Sequence, residues 1–547
     1  MNRLFTGAIA LFAVCLAQAE TTLEEVVVTA QKREQNLQEV PISVSSLRGK
    51  EFSSLFDGGA DIRALSTRVP GLYVESSNGR VAPRFYIRGL GNIDFDLAAS
   101  QPVSVVMDDV VMENVILKSF PIFDIDRVEV SRGPQGSLFG RNTTAGVVKL
   151  VSRKPTQQFE AYAEATIGQL GTANFEGAIG GGLSDTISAR LSVLVQNRDD
   201  YIDNGFTSRS SVLGRIEEQA ARLQFLFEPS DKFSALLNVH DRSLDGTATV
   251  FRANIFDAGS NELNENFDRD LVFFDQGDDN PQEYDSQGAS LNIEYKLDNM
   301  TLTSITAMEE ADGRSLGDID GGYGAVFLPE MGPGFIPFPS QTQDSADVEQ
   351  FTQEFRLSND PAMHDGFGWQ AGLFYFDSDL AVETNPFFIP PTTVNHTNEA
   401  WAVFGQVTIP LRENLELIGG LRYTDDEKNL TAPGVNVDLS DEQISGDLTL
   451  NWMPTPDSTL YARYANGFKA PTIQGRNIAF PPPSASTARS ETSNSFEIGF
   501  KQRMFDGRGQ VNGAVYHYIV DDKQFTAVGG ATNSIQLLNA DKGTGTG

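Results

Sequence analysis

The stretch DRVEVSRGPQGSLFGRNTTAGVVKLVSRKP, residues 126–155, decides how the rest of the chain is read. Its spacing predicts a short strand over 127–130, a glycine-rich turn, and a second strand over 146–151. Gly133, Gly136, Gly140 and Gly146 punctuate it, since glycine adopts backbone angles that a side chain forbids. The texture changes on either side. Upstream, residues 40–155 read as one α/β unit of ordinary domain size. Strands are expected over 42–44, 85–88 and 103–107, short helices over 51–56 and 62–65, and loops at 78–80 and 92–101. Downstream, residues 156–547 read as evenly spaced strands with a period of two.

That period is explicit at 159–167, where Phe159, Ala161, Ala163, Ala165 and Ile167 alternate with Glu160, Tyr162, Glu164 and Thr166. It recurs over 187–196, 220–228, 291–297, 448–452 and 496–501. Apolar residues outside and polar residues inside are the mark of a membrane barrel, though a soluble sandwich alternates similarly. Connection lengths separate the two. Tight turns at 184–185, 230–232, 298–299, 455–457 and 506–508 alternate with long connections at 243–284, 311–348, 378–399 and 471–489. Compact soluble domains rarely carry several such loops. About fifteen barrel strands are expected. The ending from Lys542 to Gly547 reads as a polar turn, so the barrel is expected to be incomplete at its C-terminus, a free edge in lipid being untenable.

Composition narrows the function. A net charge of -33 disfavours nucleic acid as a partner, and reads as solubility of exposed loops. Residues 1–19 have the form of a secretory leader, with Arg3, an apolar run over 4–16 and Ala17-Gln18-Ala19. Cys15, the single cysteine, falls inside it. No later run of about 18 apolar residues offers a transmembrane helix. Residues 20–39 combine the extended segment Glu24, Glu25, Val26, Val27, Val28, Thr29 and Ala30 with a polar tether. This strand has no partner in its own sequence neighbourhood. It is either an edge strand of the upstream domain or a strand offered to another protein by β-augmentation, and spacing leaves both open. His-Glu-x-x-His and Walker motifs are absent, so an enzyme is not expected.

These residues resemble the TonB-dependent outer-membrane receptor family. Glu24 to Ala30 is similar to its TonB box. Ile87-Arg88-Gly89, Arg127-Val128-Glu129-Val130-Ser131-Arg132-Gly133-Pro134, Phe139-Gly140-Arg141-Asn142 and Val151-Ser152-Arg153-Lys154-Pro155 resemble its plug motifs. Barrel segments from Tyr461 to Lys469 and from Ser495 to Lys501 extend the likeness. Asp108-Asp109 departs from the family's usual Asp-Gly. The resemblance implies a transmembrane antiparallel β-barrel, 22-stranded in the full family fold, with an α/β plug in its lumen. It implies location in the Gram-negative outer membrane, and as partners the TonB C-terminal domain with ExbB and ExbD, outer-membrane lipid and an extracellular substrate. A monomer with no cofactor and no bound metal is expected. It suggests plug–barrel ion pairs from Arg88 and Arg132 to inward acids such as Glu354 and Glu497. Candidate substrate contacts are Asn78, Arg80, Arg84, Asp94, Phe95 and Asp96, joined by loop aromatics such as Phe273, Phe274, Tyr323, Phe327, Phe335, Phe338, Phe387 and Phe388. The histidines His240, His364, His396 and His517 are dispersed and outside the plug, which disfavours haem. A ferric siderophore is the expected substrate on family frequency. Uptake of an oligosaccharide or cobalamin is the alternative, and a passive porin or adhesin is the rival of another class.

Overall fold

The computed structural model describes residues 25–49, 52, 54–252, 255–274, 277–318, 321, 341–386, 389–479, 483–529 and 534–547. The leader, Glu24, Tyr323, Phe327, Phe335, Phe338, Phe387 and Phe388 lie outside them, as do parts of the helix expected over 51–56.

The deciding stretch forms the middle of a five-stranded sheet. Its strands Ile125–Arg132 and Gly146–Ser152 pair antiparallel, flanked by Val44–Arg48 on one side and by Val103–Met107 and Val110–Met112 on the other. Val103–Met107 runs parallel to Gly146–Ser152 and is buried at every position, as its sequence, apolar but for Ser104, favours. Between Met107 and Val110 the chain reverses on Asp108 and Asp109, both at positive φ (47° and 70°). A two-residue hairpin needs that conformation, and aspartate tolerates it, so the departure from Asp-Gly leaves the turn in place. Asp109 is tied down by Lys149 at 2.6 Å, and Asp108 accepts from the N–H and hydroxyl of Ser152. A 3-10 helix, Ile62–Thr67, starts where Asp61 accepts from the Arg63 N–H. A ribbon of Leu72–Glu75 and Arg84–Ile87 completes the unit.

Gly146 shows why this sheet wants glycine. Its φ is +151°, and a Cβ there would stand 2.2 Å from the Ser131 carbonyl oxygen. The Ser131 oxygen is backbone and cannot rotate away, and the Ile87 Cδ1 would also crowd the new atom at 2.9 Å. Gly146→Ala is expected to cost roughly 1–3 kcal/mol or more and to expose the plug to limited proteolysis. Wild-type protease resistance in that variant would refute the packing argument.

Around this unit runs one sixteen-stranded antiparallel sheet, from Glu160–Ile167 to Ser534–Thr546, each strand paired with its sequence neighbour within the wall. Outward positions are apolar and exposed, among them Leu223, Leu373, Leu421, Ile444 and Ile498. Inward positions are polar and buried, among them Arg190, Gln224, Arg242 and Thr449. The described residues form sixteen wall strands, in keeping with the roughly fifteen expected. Three expectations need correction. The polar ending belongs to a strand, because Ser534–Thr546 pairs with Gly509–Gly529 through backbone groups that any sequence supplies. Strands reach further into the long connections than alternation suggested: Pro281–Lys296, Met300–Asp318, Gly368–Asn385 and Thr392–Arg412 all extend past their apolar sections. The polar-in rule also fails along part of the wall, where Ile305, Ala307, Ala346, Val348 and Leu380 face inward and join the apolar core of the enclosed domain.

Candidate functional site

The motif residues of the plug converge on the opposite wall. Arg88, in the left-handed region at φ 54°, places its guanidinium 2.6 Å from Glu497 and 3.8 Å from the centre of the Tyr516 ring. Tyr461 also donates to Glu497, and the Tyr518 hydroxyl donates to the Arg88 carbonyl. Gly89 and Gly133 turn the chain at positive φ, and the Pro134 carbonyl accepts from Arg463 at 2.9 Å. Gly140 lies so near the wall that a Cβ would meet the Arg422 guanidinium at 2.8 Å. Asn142 donates its N–H to the Phe468 carbonyl and accepts from the Ala470 N–H, both at 2.9 Å. Arg141 pairs with Asp426, and Ser137 donates to Asp447.

Arg132 departs from its expected role. It donates to the Pro70 carbonyl and the Ser45 hydroxyl inside the plug, and forms no ion pair among the described residues. Glu354 pairs with neither plug arginine; its partners are Lys32 at 2.5 Å and Arg356 at 2.7 Å. A lock that sequence reading missed sits at Asp124. Its carboxylate takes both Arg190 nitrogens at 2.7 Å and the Ser192 hydroxyl, and its N–H reaches Glu176.

The N-terminal segment is also better partnered than expected. Val27–Val28 pairs antiparallel with Gln35–Asn36, so the strand finds its mate in its own neighbourhood. The polar tether folds into a small hairpin: Val28, Ala30, Leu37, Val40 and Ile42 bury together. Thr29 donates its N–H to Glu129 at 2.9 Å, Lys501 donates to the Leu37 carbonyl at 2.6 Å, and Arg33 to the Trp369 carbonyl. These contacts lie at the short-turn end of the barrel.

Lys32 in this hairpin lies between the Phe139 and Phe404 rings. Burial pushes its ammonium down to about 8, against the opposing pull of Glu354. An undocked hairpin would restore the usual lysine value, near 10.5. Between those values the undocked form binds more protons, so docking strengthens as pH rises. Proteolysis within residues 25–40 is therefore expected to slow from about pH 7.5 to about pH 9.5, a trend that Lys32→Met should lack. Equal pH trends in both proteins would count against Lys32 as the titrating group.

The substrate candidates separate into two places at the long-loop end. Phe95 and Asp96 line a space of about 20 Å³ that also touches His396 and Arg476. Asp96 is engaged by the Gly475 N–H at 2.9 Å, and Asp94 by the Thr526 hydroxyl at 2.7 Å. Burial holds both carboxyls above the usual range, and the charge of Asp96 adds to the effect at Asp94. Arg84 is spent on Glu75 and the Asp94 carbonyl. Asn78 is bound through its carbonyl by Gln282. Arg80 alone of the six reaches a cavity of ligand size, about 520 Å³, between plug residues 59–64 and 79–80 and the barrel wall. Loop residue Phe274 is fully buried with Ile202, Leu213 and Val272, which is packing rather than ligand stacking.

A lipid-facing cylinder with a polar lumen, filled by a globular unit and gripping an N-terminal strand at one mouth, defines a plugged outer-membrane receptor. The comparisons agree. The description "TonB dependent receptor-like, beta-barrel" matches residues 228–547, and "TonB-dependent Receptor Plug Domain" matches residues 36–147. The chain belongs to the TonB-dependent receptor family, and its place is the outer membrane of a Gram-negative cell. It is 23% identical to the pesticin receptor of Yersinia pestis over 573 residues, covering 100% of this chain and 78% of the relative. It is 28% identical to the iron-regulated outer membrane virulence protein of Vibrio cholerae, over 35% of this chain and 30% of that one. Among solved structures it resembles the ferric yersiniabactin uptake receptor FyuA from Yersinia pestis, with a TM-score of 0.75 at 19% identity, over 93% of this chain and 75% of the other. The alcaligin receptor FauA from Bordetella pertussis gives 0.64 at 15%, over 96% and 80%.

Proposed function

We propose that the protein takes up a scarce ferric siderophore across the outer membrane, using work delivered by the TonB C-terminal domain with ExbB and ExbD, and acts as a monomer. The observation that carries this reading is the division of labour along one axis. A ligand-sized cavity lies at the long-loop, outer end, and a strand in a small hairpin lies at the short-turn, periplasmic end. Such a hairpin is a ready donor for β-augmentation once undocked. Relatives described as receptors for iron chelates support iron as cargo. A static pore is poorly served by a lumen filled with a bonded domain.

The test is iron-limited growth of a receptor-deficient strain carrying the full-length protein, with ferric siderophores, cobalamin and oligosaccharides supplied in turn. Growth on a ferric chelate that a protonophore abolishes is expected. Growth on cobalamin or a sugar alone would replace the substrate assignment, and uptake indifferent to the protonophore would favour a passive pore.

A further inference from the structure

The 520 Å³ cavity is lined by six arginines, Arg63, Arg80, Arg198, Arg215, Arg252 and Arg269, against the single acid Asp61. In a chain of net charge -33 this runs against composition. Internal ion pairing explains four of them: Arg63 with Asp61 at 2.5 Å, Arg80 with Glu218 at 2.9 Å, Arg215 with Asp245 at 2.6 Å, and Arg269 with Asp270 at 2.6 Å. It explains them incompletely, since Glu218 also answers Arg242 at 2.7 Å.

Arg198 and Arg252 are left over. Arg198 donates to the Gly214 carbonyl at 3.1 and 2.9 Å, and Arg252 to the carbonyls of Asp268 and Arg269 at 3.1 and 2.5 Å. Neither makes an ion pair among the described residues. A carbonyl orients a guanidinium without cancelling its charge. Both lie over rings, Arg198 at 5.2 Å from the centre of Tyr201 and Arg252 at 5.8 Å from that of Phe267. Exposure falls from 74% at Arg269 to 9% at Arg80, so the positive groups run from the mouth of the cavity to its floor. Converging positive charge with walls of low dielectric concentrates anions.

Taking the uptake reading as its basis, we propose that this cavity selects a small polyanion, a ligand presenting at least two carboxylate or phosphate groups to Arg198 and Arg252, with its apolar part against Tyr201 and Phe267. Planar guanidinium forks suit such oxygens.

The experiment is titration calorimetry on the full-length receptor in detergent. The probes are ferric citrate and inositol hexakisphosphate as polyanions, and a neutral ferric trihydroxamate as the uncharged chelate. The polyanions are expected to bind, to weaken as salt is raised, and to lose roughly tenfold or more in affinity in the Arg198→Gln/Arg252→Gln double variant. The Arg198→Lys/Arg252→Lys variant keeps the charge and should keep the salt dependence. Arg209→Gln, outside the cavity lining, should change nothing. No polyanion binding in the wild type, equal binding in the glutamine variant, or a neutral chelate binding as tightly as the charged ones overturns the proposal. If polyanion binding fails while protonophore-sensitive uptake persists, only this assignment falls. If binding succeeds and uptake ignores the protonophore, the anion site stands and the uptake reading falls.

Discussion

Deletion of residues 24–30 is expected to abolish uptake while leaving binding of the chelate at the cell surface unchanged. The cavity borrows no residue from the N-terminal hairpin. The plug should also survive the loss. Thr29 is bonded to the buried carboxylate of Glu129, but that carboxylate keeps the Arg127 guanidinium at 2.8 Å when Thr29 is gone. What disappears is the short strand Val27–Val28, the piece that TonB would pair with and pull. A hairpin whose ladder has two residue pairs, backed by a small apolar cluster and single polar contacts, opens more easily than a five-stranded sheet. Radiolabelled iron uptake, with binding measured on chilled cells, checks both halves. Uptake that persisted after the deletion would remove the pulling mechanism.

Asp124→Ala is expected to be the most damaging single change at the plug seam. The Asp124 carboxylate is fully buried, and Arg190 is only 2% exposed. Removing the acid strands a guanidinium whose remaining acid, Glu160, is half exposed and 3.3 Å away. Breaking a buried pair from one side costs roughly 3–5 kcal/mol. The residue also holds φ 48°, a conformation that asparagine adopts more readily than alanine. Asp124→Asn should therefore fall between wild type and Asp124→Ala. Thermal melting and protease cleavage of the plug in detergent provide the measurement. An alanine variant melting like wild type would mean the pair contributes nothing net.

Much of this was legible locally. The glycines of residues 126–155, the mostly apolar run at Val103–Met107 and the alternation along much of the wall each follow from short-range rules. The missed features depend on distance in sequence. Asp124 and Arg190 meet across the seam between two domains, and no local pattern announces that register. The arginines of the cavity come from a plug 3-10 helix, a plug loop, a strand end and outer loops, without a motif in any one of them. Glu354 was expected to face Arg88 or Arg132; the sheet register instead sets it opposite Lys32, and Glu497 takes Arg88. The hairpin of Val27–Val28 with Gln35–Asn36 was obscured because its second strand is polar and only two residues long.

The grip on the plug is uneven around its circumference. Inward apolar residues such as Ile305, Ala307, Val348 and Leu380 fuse with its core on one side, while Asp426, Asp447, Arg463 and Glu497 hold it by polar contacts on the other. Solvent can replace a hydrogen bond as it breaks, but it offers nothing to a separating hydrocarbon contact. Traction from below should therefore flood the hydrophilic flank first, with the greasy flank serving as the pivot, so that a passage forms off-centre rather than by extraction of the whole stopper.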